Sequence, residues 1–232
     1  MATFLVVHGA WAAGWAWKKM RPLMAARGHA LFTPTCTGLG ERAHLAHRSI
    51  DLETHIADIL AVLEFEDLRD VILVGHSYGG MVATGVAARA RDRIKHLVYL
   101  DAFVPESGKS ANDYLAERAE AMRKAAVDGW KVPPNPTPPD TSPEDVAWAA
   151  PRRLPQPLQC FEQKLVLKNG PLTLPRSFIY AQRHNPGDPF RQFMERARKE
   201  GWPVYEMDAS HSPHVTAPEA LMGILDKVAR SA

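Results

Sequence analysis

The sequence predicts an α/β fold, with one doubly wound, mostly parallel sheet covered by helices on both faces. Three observations carry this. Short apolar runs rich in β-branched residues recur along the chain, separated by segments of helical periodicity. The runs lack polar–apolar alternation, as strands buried on both faces do. One of them passes through a Gly-x-Ser-x-Gly turn directly into a helical segment. With 232 residues, 46% hydrophobic and 23% charged, the chain suits one α/β domain with a small insertion and lacks the composition of a disordered segment.

Strands are expected at 4–7, 30–32, 71–74, 96–100, 178–181 and 204–207. Helices are expected at 15–27, closed by Gly28 as a C-cap, and at 52–65, where Leu52, Ile56, Ile59, Leu60 and Leu63 mark one face. Further helices are expected at 78–89, 190–200 and 218–229. Residues 104–174 break the rhythm: nine of the 19 prolines fall within 133–157, so no strand and no long helix is expected there. The flanks 112–127 and 144–150 can be helical, with Trp130, Trp148 and Phe161 available to face a pocket. The expected organisation is a core at 1–103, a cap or lid at 104–174, and a core continuation at 175–232.

A net charge of +2 leaves no basic stripe for nucleic acid. Cys36 and Cys160 stand 124 positions apart in no C-x-x-C spacing, which argues against a disulfide scaffold or a cysteine zinc site and leads to the expectation of a reducing, cytoplasmic setting. The first residues carry no basic leader, and their apolar run of four is too short for a signal segment or a membrane span. Neither a membrane partner nor a metal or organic cofactor is expected.

Chemistry concentrates at Gly75-His76-Ser77-Tyr78-Gly79, between a strand and a helix. This is the nucleophile-elbow pattern, in which a strained backbone lifts the serine above the sheet and flanking glycines avoid collision with neighbouring backbone. A serine hydroxyl needs a base, itself oriented by a third group. Chain order in elbow enzymes places that base after the last strand, leaving His211 and His214; His211 is nearer the strand end and is the candidate, with His214 as pocket lining or a loop residue. His76 is expected to pack or hydrogen-bond beneath the nucleophile. His29, His44, His47, His55 and His96 are assigned to surface or structure. Two amides are needed to hold an oxyanion: that of Tyr78, and one from the loop His8-Gly9-Ala10-Trp11, with Ala10 as candidate and Gly9 permitting close approach.

Several segments together resemble the α/β-hydrolase family of plant methylesterases and hydroxynitrile lyases, and its bacterial branch with pyrethroid-type carboxylesterases. They are Leu5 to Trp11 with Gly14, Trp15 and Trp17; Thr37-Gly38-Leu39-Gly40-Glu41-Arg42; Gly75 to Met81; and Leu100-Asp101-Ala102-Phe103-Val104-Pro105. The likeness spans 4–101 and 178 to the C-terminus and fades in the insertion. It implies the α/β-hydrolase fold, serine chemistry and, from the plant relatives, a homodimer.

Two departures from the family pattern matter. Where the family places its acid, just past the strand at 178–181, this chain reads Gln182-Arg183-His184. Asp101, at the end of the strand after the nucleophile strand, is the candidate acid; Asp188 is the alternative if its loop folds back, and Asp208 or a dyad without a strong acid remains open. Hydroxynitrile lyases of the family carry threonine where this chain has Gly9, and lysine where it has Ser212, so both lyase marks are missing. The resulting expectation is hydrolysis of a small to medium apolar carboxylic ester through an acyl-enzyme, with Trp11, Phe103 and Tyr78 lining the pocket. Lyase or C–C bond cleavage on the same residues, and an idle small-ligand-binding homologue, are the competing readings.

Overall fold

The computed structural model describes residues 1–168, 170–183 and 188–232. Its elements run β1 (Thr3–Val7), α1 (Met20–Ala26), β2 (Ala30–Phe32), α2 (Leu52–Phe65), β3 (Val71–His76), α3 (Gly79–Arg89) and β4 (Ile94–Leu100). They continue with α4 (Ala116–Ala125), β5 (Lys131–Val132), α5 (Pro143–Ala149), β6 (Gln156–Pro157), α6 (Gln159–Glu162), β7 (Arg176–Ala181), α7 (Arg191–Lys199), β8 (Val204–Met207), α8 (Pro213–Thr216) and α9 (Pro218–Ser231). Six strands pair in parallel in the order β2-β1-β3-β4-β7-β8.

Alternate residues of each strand feed two separate cores, as the two-residue period of a pleated strand requires. Leu5, Val7, Leu73, Leu97, Tyr99 and Phe178 pack with Ile56, Ile59, Met81, Val82 and Phe193 of α2, α3 and α7. Phe4, Val6, Ile72, Val74, Val98 and Ile179 pack on the opposite face with Met20, Met24, Leu221 and Leu225 of α1 and α9. The α/β class and doubly wound sheet expected from sequence are therefore those of the structure.

Two local expectations are corrected. The helix expected at 15–27 is a 3-10 turn at Gly14–Trp17 followed by α1. Pro22 has no N–H to give the carbonyl four residues back, so the α-helix starts where Pro22 falls in its first turn. The stretch 104–174 does contain strand: β5 and β6 form a two-stranded antiparallel ribbon pairing Lys131 with Pro157 and Val132 with Gln156. Pro133 ends one strand and Pro155 and Pro157 flank Gln156 in the other, so the ladder stops after two pairs.

Candidate active site

β3 enters a sharp turn at Ser77, whose φ of 56° lies in the left-handed region, and α3 begins at Gly79. The flanking glycines are sterically required. A Cβ on Gly79 would stand 2.3 Å from the Val7 carbonyl oxygen, and one on Gly75 would stand 2.8 Å from that of Gly79. The strand–turn–helix junction thus holds Ser77 at the sheet's carboxyl edge, 9% exposed.

The imidazole of His211 reaches this serine from the loop between β8 and α8, with Nε2 2.8 Å from Ser77 Oγ. Its Nδ1–H donates to Asp101 Oδ2 at 2.7 Å, which leaves Nε2 as the acceptor facing the hydroxyl. Asp101 is fully buried at the end of β4, left-handed at φ 43°, and its Oδ1 accepts from the Ala181 amide at 3.3 Å. Phe190 stacks flat on His211, with centroids 4.9 Å apart and an interplanar angle of 6°. The structure therefore brings Ser77, His211 and Asp101 together.

The other two carboxylates are engaged elsewhere. Asp188 accepts from Tyr180 Oη at 2.5 Å and from the Phe190 amide at 2.8 Å, at the start of α7. Asp208 pairs with Arg183 at 2.6 Å. His184, named in the departing family motif, lies outside the described residues, as do Asn185, Pro186 and Gly187.

His76 supports His211 rather than the serine: its Nε2–H donates to the His211 carbonyl at 2.7 Å. Burial is the main force pushing its pKa down to about 3, with His211 nearby adding to the shift. His214 is buried against Trp17, its ring 4.7 Å away, and burial holds it well below the usual histidine range. His8 is likewise lowered by burial; its Nδ1–H donates to the Gly9 carbonyl at 2.9 Å, and its Nε2 accepts from the Cys36 amide at 3.1 Å.

Among the described residues, neither the Ala10 nor the Tyr78 amide donates a hydrogen bond. Both flank a cavity of about 460 Å³ that also takes in Gly9, Trp11, Ser77, Phe103 and His211. Tyr78 is fixed from below, where its hydroxyl donates to His55 Nδ1 at 3.1 Å while His55 Nε2–H donates to the Thr37 carbonyl at 3.1 Å. Burial lowers His55 to about 4, so this ring stays neutral near pH 7. Of the three insertion aromatics only Phe161 lines the cavity. Trp148 packs edge-on against Trp15 at 5.1 Å, and Trp130 lies under Lys131 Nζ at 5.0 Å. Among the described residues no group of three or more His, Cys, Asp or Glu is arranged to hold a metal ion.

A serine hydroxyl, an imidazole and a buried carboxylate in line, beside two unpaired amides, can attack a carbonyl and hold the oxygen that becomes charged. Sequence reasoning missed two residues that shape this site, Gln156 and Asp140, each the acceptor of a backbone amide beside it. Trp11 is left-handed at φ 59°, and its amide donates to Gln156 Oε1 at 2.9 Å. The Ser210 amide, next to His211, donates to Asp140 Oδ2 at 3.1 Å. The only sequence signal for Gln156 is a lone polar side chain held extended between Pro155 and Pro157.

The profile of the alpha/beta hydrolase family matches residues 4–223. The chain belongs to the α/β-hydrolase family, and within it is an ester hydrolase of the carboxylesterase type. It is 40% identical over 235 residues to a carbendazim-hydrolysing esterase of Nocardioides sp. (strain SG-4G), covering 95% of this chain and 97% of that one. It is 27% identical over 244 residues to the pheophorbidase of Raphanus sativus, covering 96% and 92%. An extracellular α/β-hydrolase from a Paenibacillus species superposes with a TM-score of 0.83 at 24% identity, covering 98% of each chain. The resemblance to plant methylesterases, hydroxynitrile lyases and bacterial carboxylesterases stands.

The expectation of a cytoplasmic location is overturned by the Paenibacillus neighbour, which has this fold and is described as extracellular. A core of this size holds without cross-links, so two free buried cysteines do not report a compartment. The substrate is a small-molecule ester, and among the described residues no helix is long and apolar enough to cross a membrane.

Proposed function

We propose that the protein hydrolyses carboxylic esters of small to medium apolar molecules through an acyl-enzyme on Ser77. The reading is carried by one observation, the continuous chain from Ser77 Oγ through His211 to Asp101 at 2.8 and 2.7 Å. Ser77 Oγ bonds to the ester carbonyl carbon as its proton passes to His211 Nε2. The amides of Ala10 and Tyr78 hold the tetrahedral oxyanion, and Asp101 steadies the imidazolium. The C–O bond to the alcohol then breaks, and His211 delivers its proton to the departing oxygen. A water, deprotonated by His211, attacks the acyl-enzyme; the acid leaves and the proton returns to Ser77.

Trp11, Phe103, Tyr78 and Phe161 give the cavity an apolar wall, which supports an apolar ester. In this reading residues 104–174 act as the cap over the site. The Nocardioides relative makes carbendazim the first substrate to test. The lyase reading is disfavoured sterically as well as by resemblance. A Cβ at Gly9 would stand 2.8 Å from His76 Nδ1 and 3.1 Å from Ser77 Cβ, so a threonine there requires the His76 ring to shift.

The test combines a fluorophosphonate probe with p-nitrophenyl butyrate and carbendazim. One covalent adduct on Ser77, absent in Ser77→Ala, with p-nitrophenol released by the wild-type chain alone, is the expected result. Folded wild-type protein that stays unlabelled sinks the proposal.

A further inference from the structure

Trp11 follows the Ala10 amide directly, in a left-handed conformation that is strained for a bulky side chain. Both of its N–H groups leave the core for the ribbon of the insertion. The backbone N–H donates to Gln156 Oε1 at 2.9 Å and the indole Nε1–H to the Val132 carbonyl at 3.0 Å. Val132 and Gln156 are themselves a cross-strand pair of β5 and β6, so one rung of the ribbon grips one residue of the loop. Gln156 is 0% exposed and Trp11 8%, so both bonds are made among buried side chains. Phe161 packs against the indole at 5.6 Å. On the other side of Ala10, His8 holds the Gly9 carbonyl from within the core.

We propose that Gln156 is a positioning residue for ester hydrolysis: through Trp11 it fixes the Ala10 N–H where the oxyanion forms, making the ribbon part of the transition-state apparatus as well as a cover. This rests on Ala10 being an oxyanion donor, as argued above. Without an acceptor, the buried Trp11 N–H is left unsatisfied, and of the two hydrogen bonds that oppose relaxation of the left-handed backbone only the indole's remains. That relaxation turns the adjoining peptide and carries the Ala10 N–H off its target. An oxyanion donor acts on the transition state and barely on the ground state, so the loss falls on kcat.

Gln156→Leu keeps the side chain's bulk and removes the acceptor, whereas Gln156→Glu keeps an acceptor oxygen in place. With p-nitrophenyl butyrate, kcat of Gln156→Leu is expected to fall roughly 10- to 100-fold, with KM within about threefold. Affinity for an aryl trifluoromethyl ketone, which forms the same oxyanion on Ser77, should fall by the same factor. Gln156→Glu should recover most of both. The midpoint of the pH profile should not move, because Ser77, His211 and Asp101 are untouched. Wild-type kcat in Gln156→Leu, or unchanged ketone affinity alongside a lower kcat, overturns the proposal.

If Gln156→Leu loses its cooperative thermal melt, Trp11→Phe removes the indole donor alone. Ketone affinity and kcat should then fall together by about threefold, and unchanged ketone affinity overturns the proposal. Wild-type protein without esterase activity would fail the ester-hydrolysis mechanism itself. An active wild type with an indifferent Gln156→Leu would fail only the role given to Gln156.

Discussion

The carboxyl ends of β3 and β4 and the inserted segment 104–174 border the same cavity, yet they hold their residues by different means. Ser77 and Asp101 are locked by the sheet itself: each is left-handed, each follows a fully paired strand, and the Ser77 and Asp101 amides donate to the Leu100 and Ile179 carbonyls. The insertion has a two-pair ribbon and short helices, and it grips the core through single side chains: Gln156 on Trp11, Asp140 on Ser210, and Asp145 on Lys19 at 2.7 Å. The strained backbones of Ser77 and Asp101 are thus placed where packed strands over-determine them. Fine adjustment is left to replaceable contacts.

The sharpest way to break this contrast is at the carboxylates. Asp101→Asn leaves His211 without an acceptor for Nδ1–H and favours the wrong tautomer, so kcat should drop about 10,000-fold. Asp188→Asn, which disturbs the start of α7 and the Tyr180 hydroxyl, should leave turnover within about threefold and lower stability by about 1 kcal/mol. Steady-state kinetics with thermal melts on both variants decide it. Near-normal turnover in Asp101→Asn would remove the acid from the sheet edge.

Acid separates the two regions next. His8, His55, His76 and His214 all sit at or beneath the sheet edge, whereas residues 104–174 contain no histidine. Burial holds His55 at about 4 and His76 at about 3, against 6.5 for an exposed ring, and lowers His8 and His214 as well. Because the folded values lie below the unfolded ones, the unfolded chain binds more protons on acidification. Stability from these rings is complete above about pH 6.5 and is lost as pH falls toward the folded values. Near pH 5 His55 and His76 should each contribute a slope of about 1.4 kcal/mol per pH unit, and His8 and His214 add in the same direction. Urea melts at pH 7, 6 and 5 measure it, and a flat profile would mean the rings are not buried neutral. His55→Gln should reduce the slope by one ring's share.

What could be read from the sequence follows the same division. The six-stranded sheet announced itself because strands buried on both faces leave unbroken apolar runs, and the elbow because its glycines are fixed by backbone-to-backbone distances that no other residue meets. Asp101 was visible from its place at a strand end, but choosing it over Asp188 and Asp208 needed coordinates, since all three follow or approach the sheet's carboxyl edge. The insertion was legible only as a proline-rich stretch. Its two-pair ribbon leaves no periodicity, and the bond from Gln156 to Trp11 spans 145 positions with nothing local to mark it. Trp130 and Trp148 looked as well suited to the cavity as Phe161, and only packing against Lys131 and Trp15 separates them.

The smallest effect sharpens the contrast within the insertion. Asp140→Ala removes the acceptor for the Ser210 amide, next to His211 in the chain, and so parallels Gln156→Leu in kind. It should cost far less. The His211 ring is already bound to Asp101, its carbonyl is held by His76, and Phe190 covers its face, so the base keeps its position when one neighbouring bond is lost. Among the described residues Trp11 has no comparable second anchor for its backbone N–H, and its left-handed backbone stores the tendency to move. We therefore expect Asp140→Ala to lower kcat by about threefold or less, with an unchanged pH midpoint. A loss as large as that of Gln156→Leu would show that the histidine loop depends on the insertion as much as the Trp11 loop does, and the division between a self-sufficient sheet edge and an assisted loop would not hold.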